Sequence, residues 1–234
     1  MLVELEDVSK RYQLGNLWVD ALRGINLTIE RGEFLAVKGP SGSGKSTLLN
    51  ILSALDHCDS GSVEIEGINL SALNEHQCSL FRRRHIGIVF QSFNLIPVLT
   101  ALENVIYPLT LSGTVNAKAR AEKALEAVGL EQLMSQRPTQ LSGGQMQRVA
   151  IARAIVSQPN LILADEPTAN LDSVTSESIM SLMKQLNREQ GVTFVIATHD
   201  NYVTGLASRV ITVRDGELVE DEPSPPFTLQ EAIA

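Results

Sequence analysis

Gly39-Pro40-Ser41-Gly42-Ser43-Gly44-Lys45-Ser46 fits the pattern G-x-x-x-x-G-K-[ST]. Glycines at those places let main-chain N–H groups turn inward around an anion. A helix opening at Thr47-Leu48-Leu49 would aim its positive dipole end at the same anion. In such a cradle Lys45 reaches the β- and γ-phosphates of a nucleotide, and the Ser46 hydroxyl coordinates Mg²⁺. A second candidate is Asp165-Glu166, directly after Leu161-Ile162-Leu163-Ala164. Asp165 would hold Mg²⁺, directly or through water, and Glu166 would polarise a water against the γ-phosphate as a general base. The plain alternative is an acidic pair capping a helix after a strand.

A third constellation is Leu141-Ser142-Gly143-Gly144-Gln145, ahead of a helix beginning near Met146. Ser142 and Gln145 match a capping box. Two glycines in a first turn each disfavour helix by about 1 kcal/mol relative to alanine. Their presence predicts a close approach to the backbone, and a phosphate on a bare helix N-terminus would supply one.

Four apolar runs position these residues: Phe34 to Lys38, Ile86 to Phe90, Leu161 to Ala164 and Thr193 to Ala197. They are continuous rather than alternating, the pattern of strands buried on both faces of a parallel sheet. They run into Gly39, Gln91, Asp165-Glu166 and Thr198-His199. Ligands of open α/β sheets bind beyond the carboxyl ends of the strands, so these endings predict one site. Residues 92–158 read as a mostly helical insert, with helix formers from Asn116 to Val128 and helical apolar spacing from Gln147 to Ser157. The first 33 residues and 60–70 read as short strands of a small antiparallel sheet. Asp215-Gly216 reads as a hairpin turn. Arg82-Arg83-Arg84-His85 reads as a solvated turn, with a membrane-facing patch as the alternative, and residues from about 221 as a loose tail.

The chain has 234 residues, 27 acidic and 19 basic side chains, and a net charge of −8. That charge argues against a protein held mainly by nucleic acid phosphates. Cys58 and Cys78 are too few for a disulfide framework and read as free thiols of a reducing compartment. No apolar run approaches the roughly 20 residues of a transmembrane helix. The acidic amino end lacks the basic region of a secretory signal. Action at a membrane would therefore go through a partner, without direct insertion.

Gly39 to Ser46, Gln91, Leu141 to Gln145, Asp165-Glu166 and His199 stand in the order and spacing of ABC transporter ATP-binding subunits, which the chain resembles from Glu4 to about Glu220. The resemblance implies one nucleotide-binding domain over residues 1–234. Its fold would be α/β, a P-loop NTPase (RecA-like) with a mostly parallel sheet core, a small antiparallel β subdomain and an inserted helical subdomain. The core would span about 1–91 and 159–220. The cofactors implied are ATP and Mg²⁺. Gly39, Ser41, Gly42, Ser43, Gly44, Lys45, Ser46 and Thr47 would bind nucleotide. Two copies would pack head to tail on ATP, so that Ser142, Gly143, Gly144 and Gln145 meet the γ-phosphate held by the partner copy. Gln91 resembles the glutamine that touches Mg²⁺ and the attacking water, His199 the histidine on the γ-phosphate, and Tyr12 the adenine-stacking aromatic. Asn170-Leu171-Asp172 resembles the D-loop, with Asp172 in place; a serine commonly stands where Ala169 or Asn170 does.

Gly87 to Val105, Leu48 to Leu52 with Ala54-Leu55-Asp56, and Gln147 to Ala154 are similar to the lipoprotein-release and macrolide-exporter (LolD/MacB-like) branch. That implies an ATP-hydrolysing subunit at the inner face of the cell membrane. It would drive a separate integral membrane permease through an apolar groove at Phe93, Leu95, Ile96 and Leu99, two of them core. A regulatory ATPase that pulls on a permease-like protein without transport is the alternative. A soluble P-loop kinase and a non-transport ABC ATPase fit the motifs and the charge less well.

Overall fold

The computed structural model of the chain describes residues 1–223. In chain order the first elements are β1 (Val3–Leu14), β2 (Leu17–Ile29), β3 (Phe34–Lys38), α1 (Lys45–Leu52), β4 (Ser60–Ile65), β5 (Ile68–Asn69), α2 (Glu75–His85) and β6 (Ile86–Val89). Then follow α3 (Ala101–Leu111), α4 (Ala117–Ala127), α5 (Gly143–Ile155), β7 (Leu161–Asp165), α6 (Ser173–Gln190), β8 (Thr193–Thr198), α7 (Asn201–Leu206), β9 (Arg209–Arg214) and β10 (Glu217–Pro223). The chain divides into two compact units, one of Met1–Ala72 with the segment from Thr193 onward, the other of Leu73–Val192.

The first unit holds an antiparallel sheet ordered β2-β1-β4-β5 and the strand series β10-β9-β3-β8. β3 pairs in parallel with both β8 and β9. Phe34, Leu35, Ala36 and Val37 are fully buried, as is every residue of β8, and the rings of Phe34 and Phe194 lie 5.4 Å apart. Burial on both faces is why these runs are continuously apolar; each such large side chain contributes roughly 1.5–3 kcal/mol. β9 and β10 form the expected hairpin, with positive φ at both Asp215 and Gly216, as a tight two-residue turn requires.

The second unit pairs β6 with β7 in parallel, Ile86 opposite Leu161 and Val89 opposite Ala164. Helices α3, α4 and α5 pack on one another, and α5 also packs on β6. α6 turns Ile179, Met180, Met183 and Leu186 inward. These recur at helical spacing.

Four expectations are corrected. β1 and β2 are long strands, 12 and 13 residues, whose register shifts interrupt the alternation that would have marked their length. Arg82 to His85 form the last turn of α2, a capped helix, and are not a loop. Asp221, Glu222 and Pro223 belong to β10, where the Asp221 carboxylate receives two bonds from Arg209; the rest of the expected tail lies outside the described residues. Phe93, Leu95, Ile96 and Leu99 are all part-exposed, so none is core. Cys58 and Cys78 are unpaired.

Candidate functional site

In the first unit, β3 and β8 end side by side, Lys38 opposite Thr198. Gly39 and His199 therefore leave from the carboxyl ends of neighbouring strands. The loop from Gly39 leads into α1 through Gly44, whose φ of 112° and 2.5 Å clearance between an added Cβ and the Ala21 carbonyl admit only glycine. No side chain caps α1, so its first N–H groups have no intrahelical acceptor. Lys45 is buried at this mouth and donates to the Gly39 carbonyl at 2.8 Å and the Pro40 carbonyl at 2.9 Å. The Ser43 hydroxyl is buried without a hydrogen-bond partner. A bare helix tip, a buried ammonium and an orphaned hydroxyl together are chemically able to receive a polyanion. The β9–β10 turn props it, with Gly216 N–H donating to the Ser43 carbonyl at 3.0 Å. Ser41, Gly42 and Ser46 are exposed, and Thr47 is part-exposed.

Tyr12 lies on β1 with its ring part-exposed. Its hydroxyl donates to Asp56 at 2.7 Å, and the Lys10 ammonium lies 5.3 Å from the ring centroid. Lys10 also donates to Asp56 at 2.8 Å. Burial and the Asp56 bond push the Tyr12 phenol above its ordinary range, so it stays a donor. The hydroxyl bond holds the ring in place while it stays part-exposed. His199 is exposed and held from its neighbours: the Asp200 N–H donates to the Thr198 hydroxyl, and the Asp200 carboxylate caps α7.

In the second unit, Gln91 and Asp165-Glu166 leave the carboxyl ends of β6 and β7, which are again neighbours. Glu166 has φ 46°, a left-handed backbone rare outside glycine that breaks the strand. Asp165 and Glu166 are both part-exposed. Gln91 is exposed in a tight turn closed by the Phe93 N–H on the Phe90 carbonyl at 3.1 Å. The two residues that end the turn, Phe93 and Asn94, have φ of 60° and 48°. Arg153, buried enough that its guanidinium pKa falls below the ordinary value, donates to both their carbonyls, at 2.8 Å to Phe93. Further on, the buried Asn104 amide accepts from the Ile96 N–H and donates to the carbonyls of Ile96, Leu99 and Thr100.

Ser142 to Gln145 begin α5 with the expected capping box: the Ser142 N–H donates to Gln145 at 2.8 Å and the Gln145 N–H to the Ser142 hydroxyl at 3.3 Å. The N–H groups of Gly143 and Gly144 remain without an intrahelical acceptor. Gly144 has a reason inside its own chain. An added Cβ would stand 2.4 Å from Cγ2 of Thr175 on α6, so the close approach expected from the sequence is in part protein against protein. Asp172 caps α6 through Thr175, with bonds of 2.9 and 2.7 Å. These bonds hold its carboxyl below the ordinary carboxylate range. Sequence marked Asn170 only as part of the D-loop resemblance, with no hint of its bond to Gln91; Arg153 was not singled out, and its one available signal was an arginine inside the apolar Val149–Ile155 stretch.

The family model for ABC transporters matches residues 22–169. The ABC transporter ATP-binding protein MJ0796 of Methanocaldococcus jannaschii is 47% identical over 227 residues, covering 94% of this chain and 97% of that protein. The macrolide export ATP-binding/permease protein MacB of Syntrophobacter fumaroxidans is 47% identical over 225 residues, but the chain spans only 31% of it. A dimeric structure of MJ0796 in a post-hydrolysis state, bound to ADP and Pi, superposes with a TM-score of 0.89 at 46% identity and covers 97% of this chain and all of that one. With its glycine-rich loop before an uncapped helix, its capped Ser-Gly-Gly helix and a relative matched nearly end to end, the chain belongs to the ABC transporter family, as an ATP-binding and ATP-hydrolysing cassette of the branch that includes MacB.

Proposed function

We propose that two copies close head to tail on ATP and that this closure drives a separate integral membrane permease of the lipoprotein-release or macrolide-efflux type. The observation that carries the reading is the pair of helix tips: α1 opens uncapped beside buried Lys45, and α5 opens with the Gly143 and Gly144 N–H groups unused. One tip fits the phosphates of the chain's own ATP. The other fits the γ-phosphate of ATP on the opposite copy.

In this reading Lys45 turns from its two loop carbonyls to the β- and γ-phosphates, and the Ser43 hydroxyl gains an acceptor. Tyr12 stacks on adenine. Glu166 accepts a proton from the water whose oxygen attacks the γ-phosphorus as the bond to the bridging oxygen breaks. Gln91 and His199 hold that water and the γ-phosphate. Phosphoryl transfer needs mainly such positioning and charge neutralisation. Mg²⁺ fits the donors present: the Ser46 hydroxyl and Asp165 carboxylate are hard oxygens, and Gln91 can approach with its amide oxygen. Among the described residues no group of three or more His, Cys, Asp or Glu could hold a metal by itself. A sparse set suits an ion that keeps several waters and is shared with substrate phosphates. When bound it would neutralise charge developing between the β- and γ-phosphates.

Among the described residues no helix is long and apolar enough to cross a membrane, which fits a peripheral cassette on the cytoplasmic face. The apolar surface offered to the permease comprises part-exposed Phe93, Leu95, Ile96 and Leu99 and exposed Val98. Glu166→Gln tests the reading. The variant should bind ATP, accumulate as a dimer on gel filtration with ATP, and turn over about 10²- to 10⁴-fold more slowly, the share of a positioned base. Turnover at the parental rate, or a monomer at saturating ATP, would refute it.

A further inference from the structure

Gln91 is exposed and sits in a turn whose following residues hold left-handed backbone. Such a turn keeps one geometry only where its surroundings over-determine it. Two side chains do so here. The Asn170 amide donates to the Gln91 carbonyl itself at 3.0 Å, across 79 positions of sequence. Arg153 donates to the carbonyls of Phe93 and Asn94. The Asn170-Leu171 segment also lies against the tip of α5, where a Cβ on Gly143 would be 3.3 Å from Cδ2 of Leu171 and 3.8 Å from the Asn170 carbonyl.

We infer that Asn170 is a positioning residue for ATP hydrolysis. It sets the place of Gln91 by clamping the Gln91 main chain, and Arg153 fixes the downstream end of the same turn. Asparagine suits the task because its NH₂ donates to a carbonyl while the residue stays at the surface. The inference rests on the reading that Gln91 acts on the ATP bound to its own chain. Through Asn170, Gln91 moves with the loop that abuts the Ser142-Gly143-Gly144 tip, so the element facing one nucleotide and the glutamine serving the other share a mechanical link.

A mutant cycle on the full-length chain tests this. Asn170 is exposed, so Asn170→Ala should fold normally and keep its affinity for ATP. Its kcat should fall about 5- to 50-fold with KM for ATP nearly unchanged, as expected for a misplaced catalytic group. Asn170→Asp, equal in shape but unable to donate, should fall as far. Gln91→Ala with Asn170→Ala should be no slower than Gln91→Ala alone, because residues acting as a unit are not additive. Amide hydrogen exchange gives a readout independent of turnover: residues 91–95 should exchange faster in Asn170→Ala, while α1 does not change. A parental kcat and exchange rate in Asn170→Ala, or losses that multiply in the double variant, would overturn the inference. If Gln91→Ala alone keeps parental turnover, the role given to Gln91 is what fails, and exchange still decides whether Asn170 holds the turn.

Discussion

Gly144 carries two demands at once. Its N–H, in the first turn of α5, has no intrahelical acceptor, and its missing side chain admits Thr175 of α6. Gly144→Ala should destabilise the chain by about 1–3 kcal/mol, the usual effect of forcing a methyl into a filled space. Thr175→Ser removes the Cγ2 that would clash and keeps the hydroxyl that bonds Asp172. The double variant should therefore recover most of the loss in urea midpoint. If Thr175→Ser gives no recovery, the clash with Cγ2 is not what the glycine avoids. The sequence made both glycines of the pair conspicuous, yet it could not distinguish these reasons, because Thr175 lies 31 positions away.

Among elements, β1 is joined to the loop after α1 by Lys10, Tyr12 and Asp56. Burial pushes the Asp56 carboxyl upward, but the bonds from Lys10, Tyr12 and the His57 N–H outweigh it and hold the group below its ordinary 3.8. Folding therefore favours the ionised form. That contribution is complete above the unfolded value and is lost as pH falls through the lowered folded one. Asp56→Asn should lower stability at neutral pH by about 1–3 kcal/mol, since it deprives the Lys10 ammonium of its nearer ion partner and leaves only Asp59 at 3.4 Å. The gap between parent and variant should stay constant from about pH 7 to 5 and close below about pH 4, as the parent carboxyl protonates. A gap that widens in acid would contradict the assignment. The four strand runs were legible because burial on both faces leaves an unbroken apolar record. α2 was not, because only Cys78 and Phe81 of its residues are buried, too few to print a helical period over the basic run Arg82 to His85.

At the scale of the whole molecule, the proposed head-to-tail site is completed only by a second copy. ATP turnover per subunit should then rise with protein concentration and level off once the dimer forms. A rate per subunit that stays flat on dilution would contradict a shared site. The cradle, the acidic pair and the α5 tip were legible because each is a short contiguous run whose chemistry dictates its spacing. The Asn170–Gln91 clamp, the Arg153 bonds and the fourfold engagement of Asn104 were not, since their partners come together only through packing. Lys45 has a consequence of its own. At rest its ammonium is spent on two neutral carbonyls of the loop it serves, so an incoming anion must outbid them before it gains the charge. A small monovalent ion offers too little in exchange, whereas a triphosphate offers several charged oxygens at once. The Lys45 contact should therefore favour a polyphosphate over chloride or bicarbonate, which bring only one charge each.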